Sequence, residues 1–162
     1  MKRPGEGGGQ VAVEIRFSER LEGREDLDLE SIARVIREAA EAVLRQEGKE
    51  GTVSVLVTDD AEIRELNRRY LNADRPTDVM AFSMLEGEEI ASPEKVIGDV
   101  VISVETAERQ AEEYDTTFLD EIALLTVHGV LHLLGYDDQT DEERSLMRDK
   151  EREALRNLRE GG

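Results

Sequence analysis

Apolar residues alternate with polar ones along four short stretches of the chain and recur at helical spacing along five longer ones. The alternation in Val11 to Phe17 predicts a strand with one solvent-facing side, and the more apolar Thr52 to Thr58 predicts a central strand. Two further strands are predicted at Asp78 to Met84 and Gly98 to Val104. The predicted helices are Leu29 to Gln46, Asp59 to Leu71, Glu105 to Tyr114, Thr117 to Leu134 and Thr140 to Asn157.

Polar residues mark the ends of several of these helices. Asp59 with Glu62, and Thr140 with Glu143, have the spacing of a capping box, in which two side chains satisfy the free backbone amides of a first helical turn. Gly135 follows the fourth helix, where a glycine is favoured because it adopts the left-handed conformation that ends a helix. The sequence therefore predicts where this helix ends and where the last one begins.

The order of the predicted elements is β-α-β-α-β-β-α-α-α. It indicates a single α+β (α/β-like) domain with helices packed on a mixed four-stranded sheet. Strands joined through a helix are expected to be parallel, and the third and fourth strands, joined by a short acidic segment, antiparallel. The fourth helix is rich in apolar residues and is expected at the centre of the fold, as a metal-binding helix. We assign residues 1–10 to a flexible lead and residues 11–159 to the single domain.

Composition narrows the class of protein. Of the 162 residues, 38% are hydrophobic and 37% charged, which is typical of a well-solvated globular domain. We find no long uncharged apolar segment and no apolar leader, so no membrane contact is expected and the cytoplasm is the expected compartment. The net charge of −18 repels polyanions, so a contact with RNA would need a local basic patch, a metal ion or a partner that brings the RNA.

The two histidines of the chain, His128 and His132, lie four positions apart in the apolar fourth helix. Four residues make just over one helical turn, so both imidazoles point to the same side. Asp138 follows six residues later, and the spacing H-x3-H-x5-D matches three-ligand zinc sites in which the turn after a helix returns the third ligand. From the spacing alone, two core histidines with satisfied hydrogen bonds remain an alternative.

The donor set indicates a kind of chemistry. Two imidazoles and a carboxylate without any cysteine favour zinc, although Ni, Co or Mn fit the same donors. Three protein ligands leave one position for water, which is typical of a catalytic site and of hydrolysis. Zinc peptidases of the HExxH type have glutamate after the first histidine, where this chain has Gly129. Glu121, two helical turns before His128, is a candidate catalytic or histidine-holding carboxylate; its alternative role is that of a helix-start acid facing the helix dipole.

Three blocks of sequence between residues 66 and 138 carry a resemblance. One is His128 to Asp137 (HGVLHLLGYD), and another is Ile97 to Ser103 (IGDVVIS). The third comprises LNRRY at Leu66 to Tyr70 and DRPTDV at Asp74 to Val79, with Phe82 and Ser83 after it. Together they resemble the YbeY family of bacterial single-domain metal-dependent endoribonucleases, and the first block is nearly identical to the signature of that family.

The resemblance implies a function. His128, His132 and Asp138 would hold zinc, and the substrate would be single-stranded rRNA near the 3′ end of the 16S RNA, in rRNA maturation and ribosome quality control. A small-subunit ribosomal protein or a ribosome-associated GTPase would be a partner. Three arginines are candidates for contact with RNA phosphates, with solvated surface charges as their alternative role: Arg68, Arg69 and Arg75.

Two positions depart from the family pattern. The third metal ligand of the family is usually histidine, and here the position is Asp138. Its negative charge makes the metal centre less positive, so activity or metal preference is expected to differ; alternatively, Asp138 only caps the turn. Many members have arginine after the tyrosine of the second block, where it is thought to contact RNA, and this chain has Leu71.

Two other classes of function remain open. A non-catalytic ribosome-assembly module would hold a structural metal with a closed coordination shell and would cleave no RNA. A zinc metallopeptidase would need a glutamate beside the metal, which Gly129 cannot supply.

Overall fold

A computed structural model gives the structure of the protein and describes residues 10–71, 79–83 and 96–161. The predicted lead at residues 1–10 lies outside this part of the chain apart from Gln10. The strands are β1 (Val11–Phe17), β2 (Gly51–Thr58), β3 (Val79–Ser83) and β4 (Val96–Ser103). The α-helices are α1 (Leu29–Gln46), α2 (Asp60–Leu71), α3 (Val104–Tyr114), α4 (Phe118–Leu133) and α5 (Asp141–Gly161), and a short 3₁₀ helix covers Glu19–Leu21.

The strands form one mixed sheet in the order β1-β2-β4-β3. Three strands, β1, β2 and β4, are parallel, and β3 pairs antiparallel with β4. The mixed α+β class and the antiparallel β3–β4 pair confirm the prediction. The expected parallel relation of β2 and β3 through α2 was wrong, because the parallel neighbour of β2 is β4. Burial on both faces explains this order: β4 is apolar on both sides, as a central strand requires, and the shorter β3 lies at the edge.

The core lies on one face of the sheet, where α1 and α4 pack. Fully buried side chains of β2 and β4, such as Val55 and Ile102, meet those of the helices, such as Ile36 and Leu131. A second, smaller cluster lies on the opposite face, where Ile63 of α2 packs against Val101. Among the described helices, none combines the length and hydropathy of a membrane span.

The central position predicted for α4 is confirmed. Burial extends around most of this helix, so that it contacts the sheet on one side and neighbouring helices on others. Thr117 caps its start by accepting a hydrogen bond from the backbone amide of Asp120 at 3.0 Å. The buried residues of α4 are Glu121, Ile122, Ala123, Leu125, Thr126, Val127, Gly129, Val130, Leu131 and Leu133.

Candidate metal centre

Both histidines lie in the last two turns of α4 and face each other across one helical turn. Their Nε2 atoms are 3.1 Å apart, and the ring centroids are 4.6 Å apart. Their side chains are 23% exposed for His128 and 27% for His132, so each ring is held by packing and still reaches solvent. The i, i+4 spacing in the sequence therefore places two imidazole nitrogens on one accessible side of a buried helix.

A tight turn after α4 brings Asp138 back to the histidines. Gly135 has a φ of +106°, a conformation that side-chain-bearing residues rarely adopt. Its amide donates to the carbonyl of His132, and the amide of Tyr136 donates to the carbonyl of Leu131, which closes the end of the helix. The Oδ2 atom of Asp138 then lies 3.8 Å from the Nε2 atom of each histidine.

The three side chains have the chemistry and spacing of a metal-binding group. One ligand atom from each of His128, His132 and Asp138 lies within 4.8 Å of the others. Two nitrogen ligands of one tetrahedral zinc ion lie roughly 3.3 Å apart when each Zn–N distance is about 2.0–2.1 Å, close to the spacing of the two histidines. This set of donors fits a divalent ion. It is open to solvent on the carboxylate side, because the side chain of Asp138 is 46% exposed.

A carboxylate that the sequence analysis missed contacts the first histidine. The Nδ1 atom of His128 is hydrogen-bonded to Oε2 of Glu151, whose side chain is only 13% exposed on α5. The sequence holds a signal for it: Met147, Glu151 and Ala154 have helical spacing, so an acidic residue interrupts the apolar stripe of an amphipathic helix. A charged residue on the buried face of a helix indicates that another group within the protein interacts with its charge.

Glu47 connects the turn and α5 to the end of α1. It accepts a hydrogen bond from the Tyr136 hydroxyl at 2.6 Å and forms an ion pair with Lys150 at 3.3 Å. The hydrogen bond to Glu47 raises the pKa of Tyr136. Burial would raise the pKa of Glu47, but the hydrogen bonds from Tyr136, Gln46 and Lys150 outweigh burial and lower it. An ionised Glu47 thus fixes both segments that flank the metal centre.

The electrostatic environment favours a neutral His132. Burial and then the neighbouring His128 lower its pKa, and the opposing effects of Asp138 and Asp137 do not compensate. A neutral imidazole has a free electron pair on one ring nitrogen, which is the form that binds a metal ion.

Glu121 lies away from this centre. It is buried in the first turn of α4, and its Oε2 atom accepts a hydrogen bond from the Thr116 hydroxyl at 2.6 Å. Seven residues separate it from His128, which corresponds to about 10 Å along a helix axis. Glu121 was a candidate for the carboxylate that holds His128. In the structure Glu151 contacts His128, because α5 packs beside the histidines and the first turn of α4 does not.

The structure describes only part of the predicted RNA-contact group. Arg68 and Arg69 are exposed at the end of α2, and Arg69 forms an ion pair with Glu65 at 3.1 Å. Arg75 lies outside the described residues, and the side chain of Leu71 is not described.

Fold and site together define a small α+β domain with a candidate His-His-Asp metal centre, and comparisons identify its family. The model of the endoribonuclease YbeY family matches residues 18–159. The endoribonuclease YbeY of Pelotomaculum thermopropionicum is 50% identical over 142 residues, covering 85% of this chain and 93% of the relative. That of Carboxydothermus hydrogenoformans is 44% identical over 135 residues, covering 83% and 91%. The chain therefore belongs to the YbeY family of hydrolytic endoribonucleases, which confirms the resemblance and the prediction of an enzyme.

A solved structure supports the fold independently. The solution structure of TM1509 from Thermotoga maritima covers 92% of this chain and 93% of its own, with a TM-score of 0.56 and 24% sequence identity. At this identity the similarity concerns the arrangement of helices and strands.

Proposed function

We propose that this chain is a zinc-dependent endoribonuclease that cleaves single-stranded RNA and acts on the 3′ end of 16S rRNA in maturation and ribosome quality control. The observation that carries the proposal is the convergence of three ligand atoms, from the two histidines of the block that resembles the family signature, His128 and His132, and from Asp138 directly after it. The relatives, which are endoribonucleases YbeY, support the proposed reaction, and the convergence of the three ligand atoms supports its proposed location.

The residues of the centre have separate tasks in this proposal. His128 and His132 would bind zinc through Nε2, and Asp138 through a carboxylate oxygen. When bound, zinc supplies Lewis acidity, which polarises a phosphoryl oxygen and lowers the pKa of water. The partial exposure of all three side chains leaves room for a phosphodiester, which favours a catalytic over a closed structural site.

Charge determines how RNA would reach the centre. Arg68, Arg69 and Arg75 are proposed contacts to RNA phosphates, because each offers planar donors for phosphate oxygens. The net charge of −18 opposes unaided binding, so we propose that a small-subunit ribosomal protein or a ribosome-associated GTPase delivers the rRNA. A cytoplasmic location follows from that substrate.

For Glu121 we propose the role of a helix-start acid. It lies in the first turn of α4, where the helix dipole favours negative charge, and its bond to Thr116 joins the helix to the preceding turn. In this role Glu121 stabilises the start of α4, and it is not the base of the reaction.

The first experiment is elemental analysis of the dialysed protein, of Asp138→Ala and of the control Asp141→Ala, which removes an exposed carboxylate three residues further on. We expect one equivalent of zinc in the parent and in the control, and a sharp loss in Asp138→Ala. Cleavage of single-stranded but not duplex RNA should follow the metal content.

Other outcomes would select the alternative functions. A protein that binds zinc, loses much thermal stability when the zinc is chelated and cleaves no RNA would be a ribosome-assembly module. Turnover of casein would indicate a peptidase. Zinc retained in Asp138→Ala would remove Asp138 from the coordination shell.

A further inference from the structure

We propose that α5 is a functional part of the metal centre: Glu151 is a positioning residue that holds His128 in the tautomer with a free Nε2, so that metal affinity depends on the docking of α5. The proposal rests on the proposed function only in assuming that the centre binds a divalent ion. Glu151 would not touch the ion or the RNA; it would act through His128.

The two ring nitrogens of His128 face different partners. Nδ1 is bonded to Glu151, whereas Nε2 faces His132 at 3.1 Å and Asp138 at 3.8 Å. In this proposal the Glu151 oxygen accepts the hydrogen bond and Nδ1–H of His128 donates it, which puts the proton of a neutral imidazole on Nδ1. The electron pair is then on Nε2, the atom on the side of the other two candidate ligands.

The burial of Glu151 argues for a specific role. Its neighbours on the inner stripe of α5 are Met147, which is 2% exposed, and Ala154, which is fully buried. An apolar side chain would pack there without the cost of removing a carboxylate from water. A partner that gains from the carboxylate is therefore needed, and His128 is the partner that the structure shows.

Contacts one residue earlier fix the register of α5. Lys150 forms the ion pair with Glu47, and its backbone carbonyl accepts a hydrogen bond from Gln46 at 3.3 Å. Glu47 also binds Tyr136 in the turn before Asp138. The turn that carries Asp138 and the helix that contacts His128 are thus both anchored at the end of α1. A shift of α5 by one turn would move Glu151 by about 5.4 Å and break its bond to His128.

Coupling of this kind acts in both directions. If docking of α5 strengthens zinc binding, then zinc must stabilise the docked helix by the same factor. The prediction is therefore a change in metal affinity and a change in helix protection, both of which are measurable without RNA cleavage.

The test compares the parent with Glu151→Gln, Glu151→Ala and the control Glu142→Gln, which makes the same change at an exposed position of α5. Zinc affinity is measured by competition with a chromophoric chelator. We expect a 10- to 100-fold loss for Glu151→Ala, a smaller loss for Glu151→Gln, which still accepts a hydrogen bond, and a change within about twofold for the control.

Two further readouts distinguish positioning from general destabilisation. Nitrogen-15 NMR of the metal-free protein should show the Nδ1-protonated tautomer of His128 in the parent and a mixture of tautomers in Glu151→Ala. Zinc should slow hydrogen exchange of α5 amides in the parent more than in Glu151→Ala. If Glu151→Ala does not fold, the nearly isosteric Glu151→Gln decides.

The outcomes separate this proposal from the proposed function. Zinc bound by the parent, with unchanged affinity and an unchanged tautomer in both variants, overturns the role of Glu151 and leaves the function standing. Absence of zinc binding by the parent overturns the metal-dependent function and the coupling with it.

Discussion

Two regions of the molecule surround a carboxylate in opposite ways. One is the candidate metal centre at the end of α4. The other, the strand-end network, lies where β2 and β4 end and consists of Asp60, Ser103, Thr106 and Arg109. Asp60 accepts hydrogen bonds from Ser103 at 2.6 Å, Thr106 at 2.8 Å and Arg109 at 2.5 Å. At the candidate metal centre, two imidazole nitrogens and a carboxylate oxygen converge instead, which are potential metal ligands.

The titration of Asp60 reflects this difference. Burial would raise its pKa, but the hydrogen bonds from Ser103, Arg109 and Thr106 outweigh burial and lower it. Its charge is thus neutralised by the protein's own donors, and the network needs no ligand. The number of acidic residues does not identify a site; what surrounds each carboxylate does.

The largest expected effect is the loss of a ligand. His132→Ala should weaken zinc binding roughly a thousandfold, because one of three ligands contributes about a third of a binding free energy on the order of 10–16 kcal/mol. Chelator competition measures this loss. Asp60→Ala serves as the control, and an equal loss in that variant would show that the two regions are not independent.

Breaking the strand-end network should instead destabilise the fold. Asp60→Ala leaves two hydroxyls and a guanidinium without their acceptor, and we expect a loss of about 2–4 kcal/mol in the free energy of unfolding. Urea denaturation measures it, with the exposed Asp149→Ala as control. A loss below 1 kcal/mol would contradict the structural role of the network.

Removal of zinc should have a comparable effect on stability through a different region. At free zinc 100 times above its dissociation constant, binding adds about 2.7 kcal/mol to the free energy of unfolding. Thermal melting with and without chelator should therefore differ by roughly 5–10 °C for a domain of this size. If Asp60→Ala shows the same difference in melting temperature with and without chelator, zinc and the strand-end network contribute independently to stability. A much smaller difference would show that the two regions are coupled.

Acid should affect the two regions in different pH ranges. The pKa of His132 is lowered from 6.5, so the unfolded chain takes up the proton first, and stability is lost as the pH falls below 6.5. The pKa of Asp60 is lowered from 3.8, so its contribution is complete above pH 3.8 and is lost as the pH falls through the folded value. Urea titrations of the metal-free parent and of His132→Ala should diverge below pH 6.5, and those of Asp60→Asn below pH 3.8.

The smallest effect on stability is expected at the proposed RNA contacts. Arg69→Gln removes an exposed ion pair, so the free energy of unfolding should change by less than about 0.5 kcal/mol. Binding to single-stranded RNA should weaken, with a salt dependence reduced by about one counterion. Arg45→Gln on α1 is the control, since Arg45 forms the same kind of i, i+4 pair with Glu41. Equal RNA binding by both variants would remove Arg69 from the interface.

Local signals in the sequence were reliable where short-range geometry decides the structure. The capping box of Asp59 and Glu62 supplies a hydrogen bond from the Glu62 amide to Asp59 at 2.9 Å. That of Thr140 and Glu143 supplies bonds in both directions at 3.0 and 3.1 Å. Gly135 ends α4 as predicted, so these three helix ends followed from neighbouring residues alone, whereas α5 extends to Gly161, beyond the predicted end at Asn157.

Long-range relations were less accessible. The sequence could not order β3 and β4, because both orders satisfy the same local pattern and differ in which strand is buried on two faces. It offered Glu121, on the same helix, as a candidate for the carboxylate beside His128 with a helix-start acid as its alternative, and the structure places Glu151 of α5 there, 23 residues further along the chain than His128. Periodicity identifies the inner face of a helix but not which helix lies opposite.

By itself, the sequence determined the chemistry of this protein: two imidazoles on one helical side, a carboxylate after a glycine turn, no thiol, and the family to which they belong. The shared side of the two imidazoles and the turn at the glycine follow from backbone geometry within a few residues. Only the tertiary structure decided that the three ligand atoms meet within 4.8 Å, that Glu151 supports them, and that Asp60 is neutralised by its neighbours. The physical reason is that such contacts depend on packing between segments distant in the chain.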